Sequence, residues 1–223
     1  MASPLPASVG EARIKPWPAW QNRSVPRDRD VRAFHDRAPS YESGWLGGMH
    51  HEIAHRTGQL ALCLDRTPQR VLDVGCGTGL LLRLLAEGLP GSEELVGVDA
   101  ATGMIAIASS LASDPRLRFS VGVAEDLQFP DAFFDIVLST NSFDHWENQG
   151  AGLVECARVL SPGGRLVLTD LFSLWLAPTL LVGRRGRART KHRASELLGA
   201  SGFHSIKWHR LYALIIKTAV ASK

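Results

Sequence analysis

Val71-Leu72-Asp73-Val74-Gly75-Cys76-Gly77-Thr78-Gly79-Leu80-Leu81 is the stretch on which the reading of the whole chain turns. An apolar run of strand character enters three glycines at alternate positions, and an apolar run at helical spacing, 80–85, leaves them. That order spells strand, tight turn and helix. Glycine suits a turn that needs positive φ, or a ligand lying against bare backbone, because either one excludes a Cβ. The fingerprint of dinucleotide-binding βαβ units sets its third glycine one position later, after G-x-G-x-x. Leu80 stands there instead, so this turn is offset from that fingerprint.

A second short apolar strand, 95–98, ends in Asp99, 20 residues past Gly79. At that distance in a nucleoside-binding βαβ unit a carboxylate accepts hydrogen bonds from both ribose hydroxyls. The plainer reading is a solvated strand-end Asp. A carboxylate there also argues against a ligand with a 2′-phosphate, because two anions repel.

Gly75-x-Gly77-x-Gly79 after V-L-D-V resembles motif I of the class I S-adenosylmethionine-dependent methyltransferases. Two further segments carry the likeness. Ser139-Thr140-Asn141-Ser142-Phe143-Asp144-His145-Trp146 resembles the S-x-x-S-F-x-H-W segment of the ubiquinone/menaquinone-biosynthesis-like, small-molecule group. The run L-x-E-C-A-R-V-L-S-P-G-G-R-L-V-L over 153–168 is the other, and its residues are architectural. The resemblance implies an α/β fold: a Rossmann-like, seven-stranded, mostly parallel sheet with helices on both faces and a C-terminal antiparallel hairpin. It also implies S-adenosyl-L-methionine as cofactor and methyl transfer to an O, N or C nucleophile of a small-molecule acceptor. On that reading Gly75, Cys76, Gly77 and Gly79 lie along the methionine part, with Asp73 near its ammonium. Asp99 and Ala100 take the ribose end, Met104 sits beneath the adenine, and Asn141 closes the cofactor site.

The family's loop G-D-A-E-D-L-P-F has its counterpart in Val123-Ala124-Glu125-Asp126-Leu127-Gln128-Phe129. Val123 replaces the family's first Asp, which leaves the Ala124 amide and Glu125 or Asp126 to read the adenine edge. His145 is the residue to choose as general base, since an imidazole with an ordinary pKa near 6.5 accepts a proton at neutral pH. Its competing reading is a residue that orders the loop or packs beside Trp146.

The remaining segments follow from pattern and composition. The chain has 223 residues, enough for one domain that buries roughly 70% of its unfolded surface. Its 25 basic and 22 acidic residues leave a net charge of only +3, a weak hint of an anionic partner. Three cysteines without metal-ligand spacing suggest a reducing compartment and no zinc. Residues 1–30, rich in proline and lacking an apolar export segment, read as a flexible arm, although Trp17 and Trp20 are unusual there. The longest apolar run, 171–182, is shorter than the roughly 20 residues of a membrane span, so the expectation is a soluble, cytoplasmic protein.

Residues 31–223 form the expected catalytic domain. Asp30 is the expected cap of a first helix, 40–48 is an expected break, and 50–64 an expected second helix with Ile53, Ala54, Thr57, Leu60, Ala61 and Leu64 on one face. By the family resemblance the segment 31–66 is a lid, and Tyr41, Trp45, His50, His51 and Trp146 are acceptor-pocket candidates. Strands are expected at 117–121, 134–139 and 165–169, a helix at 191–198, and a hairpin from 205–209 and 212–219 turning at Arg210 and Leu211.

The insertion 171–191 shapes the acceptor pocket in similar proteins. Five cations among residues 183–191 either grip an anionic substrate group or form a solvated loop. An RNA acceptor would call for this patch plus exposed aromatics or a binding module, and no module is apparent, so nucleic acid is not the expected partner. Two alternatives stay open: an RNA or protein methyltransferase that uses the basic loop, and a cofactor-binding protein of the same fold that does not methylate. Pattern is silent on oligomeric state.

Overall fold

In the computed structural model, residues 29–64, 68–173, 190–213 and 215–223 are described. Strands β1 (Arg70–Val74), β2 (Glu94–Asp99), β3 (Leu117–Val121), β4 (Phe134–Thr140) and β5 (Leu160–Leu171) pair in parallel, and β6 (His204–Tyr212) and β7 (Ile216–Ser222) close the sheet antiparallel. The order β3-β2-β1-β4-β5-β7-β6 reverses between β1 and β4. Crossovers run outward from that point on both sides, so the carboxyl ends of β1 and β4 open a crevice between them.

Both sheet faces are covered, and the strands accordingly read as near-continuous apolar runs. Leu72, Val74, Val96, Val98, Val137, Leu166 and Leu168 point to one face, into a core shared with α5 (Gln149–Val159) and α6 (Lys191–Ala200). Val71, Leu95, Ile136, Leu138, Val167 and Val220 point to the other, against α2 (Gly44–Leu62) and α3 (Leu80–Gly88). On that second face a ladder of buried hydroxyls fixes α2 to the sheet. Thr57 lies 3.2 Å from Thr169, which lies 2.7 Å from Thr218.

Several boundaries differ from expectation. Helix α1 spans Arg29–Arg37, beginning before Asp30, so that residue is inside the helix and not its cap. The expected break at 40–48 is confined to a 3-10 turn, Ala38–Ser40, and the three residues after it. Helix α2 begins at Gly44, six residues early, because Gly47 meets the backbone of Glu42 so closely that a Cβ would lie 2.3 Å from the Glu42 carbonyl carbon. Pattern sees glycines there as breakers, whereas packing uses Gly47. The final hairpin turns between Tyr212 and Ile216, later than Arg210 and Leu211 suggested, since the pairing of those two residues sets the register. Residues 174–189 of the expected insertion 171–191, with most of the basic run, and residues 1–28 lie outside the described residues.

Candidate active site at the β1 and β4 strand ends

The turn after β1 is held from three directions. Gly75 and Cys76 donate their N–H groups to the Val98 carbonyl at 2.7 and 3.1 Å, and Gly77 donates to Asp99 Oδ2 at 2.9 Å. Gly75, Gly77 and Gly79 all have positive φ, at 75°, 54° and 77°. At Gly75 the need for glycine is also spatial, since a Cβ would come within 2.0 Å of Ser142 Oγ. That hydroxyl donates to the Val74 carbonyl at 3.0 Å and accepts the Trp146 indole N–H at 3.0 Å, which stitches the β1 turn to the loop after β4. A Cβ on Gly77, by contrast, would meet only the Tyr41 ring, at 3.8 Å. The backbone face at Gly77 is therefore bare and looks toward Tyr41.

Two carboxyls flank this turn. Asp99, at the end of β2 and half-buried, accepts Gly77 N–H on one oxygen and Ala101 N–H at 2.8 Å on the other. Each oxygen has a second lone pair. Burial pushes Asp99 up, while the two amides and the charge of His145 pull it back. Asp73 is 2% exposed on the α2 face of β1, and its Oδ1 has no hydrogen-bond partner. Burial, reinforced by the charge of Asp99, pushes it up to about 8. A buried carboxyl oxygen left unpaired costs free energy until a donor arrives, and an ammonium is the donor that also restores its charge. Cys76 is inert, because burial holds its thiol well above its ordinary value. These features fit an adenosyl amino acid: an acceptor pair at Asp99 for two hydroxyls, a bare turn, and an orphaned carboxyl oxygen.

The N-terminal segment covers the turn. Helix α1 docks on the start of α4 (Thr102–Ser110), where His35 Nδ1 accepts the Gly103 N–H at 3.0 Å. Tyr41 stacks on His50 with ring centroids 4.5 Å apart. Burial, and next the charge of Asp99, pushes the Tyr41 phenol up to about 12, so it stays a neutral donor. Burial lowers His50, whose Nδ1 is buried without a partner, so its imidazole is neutral. Trp45, by contrast, is 81% exposed in the first turn of α2.

Glu42 ties this N-terminal segment to the turn and was missed by sequence reasoning. It accepts the Thr78 hydroxyl at 2.5 Å and pairs with Arg83 at 2.9 and 3.2 Å, and His51 lies 3.3 Å away. Burial pushes Glu42 up, but Thr78 and Arg83 outweigh it and hold it below the usual value. No spacing rule joins residue 42 to residues 78 and 83, so nothing in the sequence pointed to this pairing.

On the far side, a 3-10 turn, Phe143–His145, carries His145 to the surface, with the Phe34 ring edge-on to it at 4.9 Å. Asn141 takes a positive φ of 53° and donates its backbone N–H to Thr169. Trp146 is not brought to the crevice: it is buried in the main core, edge-on to Phe143 and against Gly152. Met104 is buried in a small cluster with Ala38 and Ala101, packed by Phe34 and Tyr41. Ala100 directly follows β2, between Asp99 and Ala101. Ala124 is buried and Glu125 accepts the Asn148 N–H at 2.9 Å, in a loop that Arg158 anchors through the Leu127 and Phe129 carbonyls. Glu125 thus helps hold the start of α5.

Comparison with known proteins places this architecture in company. A family model described as a methyltransferase domain matches residues 72–168. A demethylmenaquinone methyltransferase of Thermus thermophilus is 38% identical over 140 residues, covering 61% of this chain and 63% of that protein. A malonyl-acyl-carrier-protein O-methyltransferase of Geobacter sulfurreducens is 30% identical over 194 residues, covering 80% of this chain and 72% of the other. The chain spans less than two thirds of the length of the first relatives it matches. Among solved structures, the complex between the Haloferax volcanii Trm112 methyltransferase activator and a methyltransferase superposes with a TM-score of 0.72 at 20% identity. It covers 88% of this chain and 98% of that one, a likeness of fold. Among the described residues no helix is long and apolar enough to cross a membrane.

Proposed function

Because the chain belongs to the methyltransferases, we propose that it is a class I S-adenosylmethionine-dependent enzyme of the ubiquinone/menaquinone-like group that methylates an O, N or C nucleophile of a small molecule. The observation that carries this reading is the pairing of an orphaned, buried Asp73 oxygen with the bare turn at Gly77 and the two free lone pairs of Asp99. When bound, S-adenosylmethionine supplies an electrophilic methyl on a sulfonium, with a neutral thioether as leaving group.

In this reading the chain's own residues do the holding. Asp99, with Ala100 beside it, accepts the ribose hydroxyls. Asp73 accepts the ammonium. The backbone of Gly75, Cys76, Gly77 and Gly79, with Asn141 across the crevice, runs along the amino-acid end. Met104, Ala124 and Glu125 border the adenine. No nucleophilic side chain is required, and orientation of the acceptor is the main contribution, of a kind worth about 7 to 11 kcal/mol when fully realised.

The acceptor lies against Tyr41 and His50. Burial keeps both rings neutral, and the Tyr41 phenol offers an O–H donor. His145 takes up the acceptor's proton, where there is one to lose. Calorimetry of the full chain with S-adenosylhomocysteine tests the reading. The wild type should bind, Asp99→Ala should bind several-fold or more weakly, and a folded chain that takes up none of the compound refutes it.

A further inference from the structure

Asp170 is a buried acid that the proposed transfer does not use. It ends the parallel part of the sheet on β5 and is 4% exposed. Its Oδ1 accepts the Leu171 N–H at 2.6 Å. Its Oδ2 accepts the Asp144 N–H at 3.2 Å, across from one strand end to the neighbouring loop. Asp144 is the middle residue of the 3-10 turn whose last residue is His145. From the opposite side Phe34 sets its ring edge-on to the imidazole. The turn is therefore gripped through its backbone by β5 and through its ring by the lid.

The charges around this carboxyl and the neighbouring imidazole come from four elements. Asp144 and His145 face it from the turn, and Tyr41 responds to it from the lid. Lys217 stands opposite in register on β7, with its ammonium given to the Phe172 carbonyl. Asp99 acts on the same imidazole from β2. Burial pushes Asp170 up to about 6, against the Leu171 and Asp144 amides, with Asp144 raising it further and His145 lowering it. Above about pH 6 it is therefore a carboxylate beside an exposed imidazole, in a place shielded from water.

We propose that Asp170 is a positioning residue for His145: its carboxylate pins the turn through the Asp144 amide and sets a fixed negative charge that stabilises the imidazolium formed on proton uptake. This inference rests on the reading of His145 as proton acceptor. It deepens that reading, because a charge-supported imidazole serves acceptors whose attacking atom gives up a proton, such as a hydroxyl, a carboxylic acid or an ammonium group. The proton leaves the acceptor atom for a ring nitrogen of His145, and Asp170 stays ionised.

The test needs no acceptor. In the ligand-free full chain, the His145 ring resonance is assigned by its loss in His145→Gln and titrated by NMR. In Asp170→Asn its midpoint should fall by roughly half a pH unit or more, about a threefold change in proton affinity. Glu147→Gln, which removes a charge from the same exposed loop, should move it much less. An unchanged midpoint, or equal shifts in the two variants, overturns the proposal. Should Asp170→Asn not fold, the reciprocal measurement decides, since coupling between two sites is mutual. The Asp170 carboxyl, followed by carbon NMR in His145→Gln, should titrate higher than in the wild type, and an unmoved Asp170 overturns the proposal. If His145→Gln instead retains full methyl transfer to an acceptor while the coupling is intact, the base reading fails and the electrostatic pairing stands.

Discussion

Replacing Asp73 with Asn tests the electrostatic premise of the site without any acceptor. The carboxyl is 2% exposed, one oxygen has no partner, and burial with the charge of Asp99 pushes it from 3.8 to about 8. A carboxyl whose folded value lies above its unfolded value keeps its proton in the fold after the unfolded chain has released it. Stability therefore falls as pH rises, from the unfolded value near 3.8, and levels off above about 8. An interval of roughly four pH units at about 1.4 kcal/mol each caps the loss at about 6 kcal/mol. Relaxation and water entry around a buried charge leave about 2 to 3 kcal/mol of that to be observed.

The amide in D73N carries no such charge. Urea unfolding of the full chain at about pH 5 and about pH 9 should show the wild type losing about 2 kcal/mol relative to D73N between the two. S-adenosylhomocysteine should reverse the ranking, because its ammonium rewards the carboxylate. D73N should bind it about tenfold or more weakly at pH 9, and wild-type binding at pH 7 should release a proton, seen as a buffer-dependent heat. Stability curves that run parallel from pH 5 to 9 would refute the assignment of a strained, proton-holding carboxyl at this position.

Two other substitutions probe the scaffold. Gly75→Ala places a Cβ 2.0 Å from Ser142 Oγ at a φ of 75°, so thermal unfolding should show a loss of about 2 kcal/mol or more, relieved in part by Ser142→Gly. Glu42→Gln removes the charge that Thr78 and Arg83 surround, and should cost about 1 kcal/mol at neutral pH and speed proteolysis in the segment before α2. Because Glu42 is held below its ordinary 4.5, its contribution is present above about that pH and fades as the pH falls further, so the two proteins should converge in acid. A constant difference down to pH 3 would show that the glutamate acts through packing alone.

The parts of the fold legible in the sequence are those set by local chemistry. Alternate glycines after V-L-D-V mark the turn because all three take positive φ, which favours residues without a Cβ, and at Gly75 a Cβ would also meet Ser142. Apolar runs mark the strands, since a sheet covered on both faces leaves no polar side to show. The strand-end position of Asp99 follows from the length of one strand–helix–strand unit. Chain-terminal pairing was legible as a hairpin but not in its register, which depends on which residues of β6 and β7 face each other.

What escaped the sequence depends on partners far apart in the chain. Glycine at 44, 47 and 48 reads as a break by propensity, yet the helix runs through it because Glu42 backbone packs against Gly47. Trp146 looked like a pocket residue by its neighbours and is a core residue by its surroundings. The Glu42 pairing with Thr78 and Arg83, the grip of Asp170 on the His145 turn, and the unpaired oxygen of Asp73 all arise from side chains that meet only after strands and helices stack. Sequence by itself determined which backbone could bend and which residues avoid water, because propensity and periodicity act over a few neighbouring positions. The tertiary structure alone decided which charges share a site and which are left without a partner, because burial and distance belong to the folded arrangement and to no single stretch of chain.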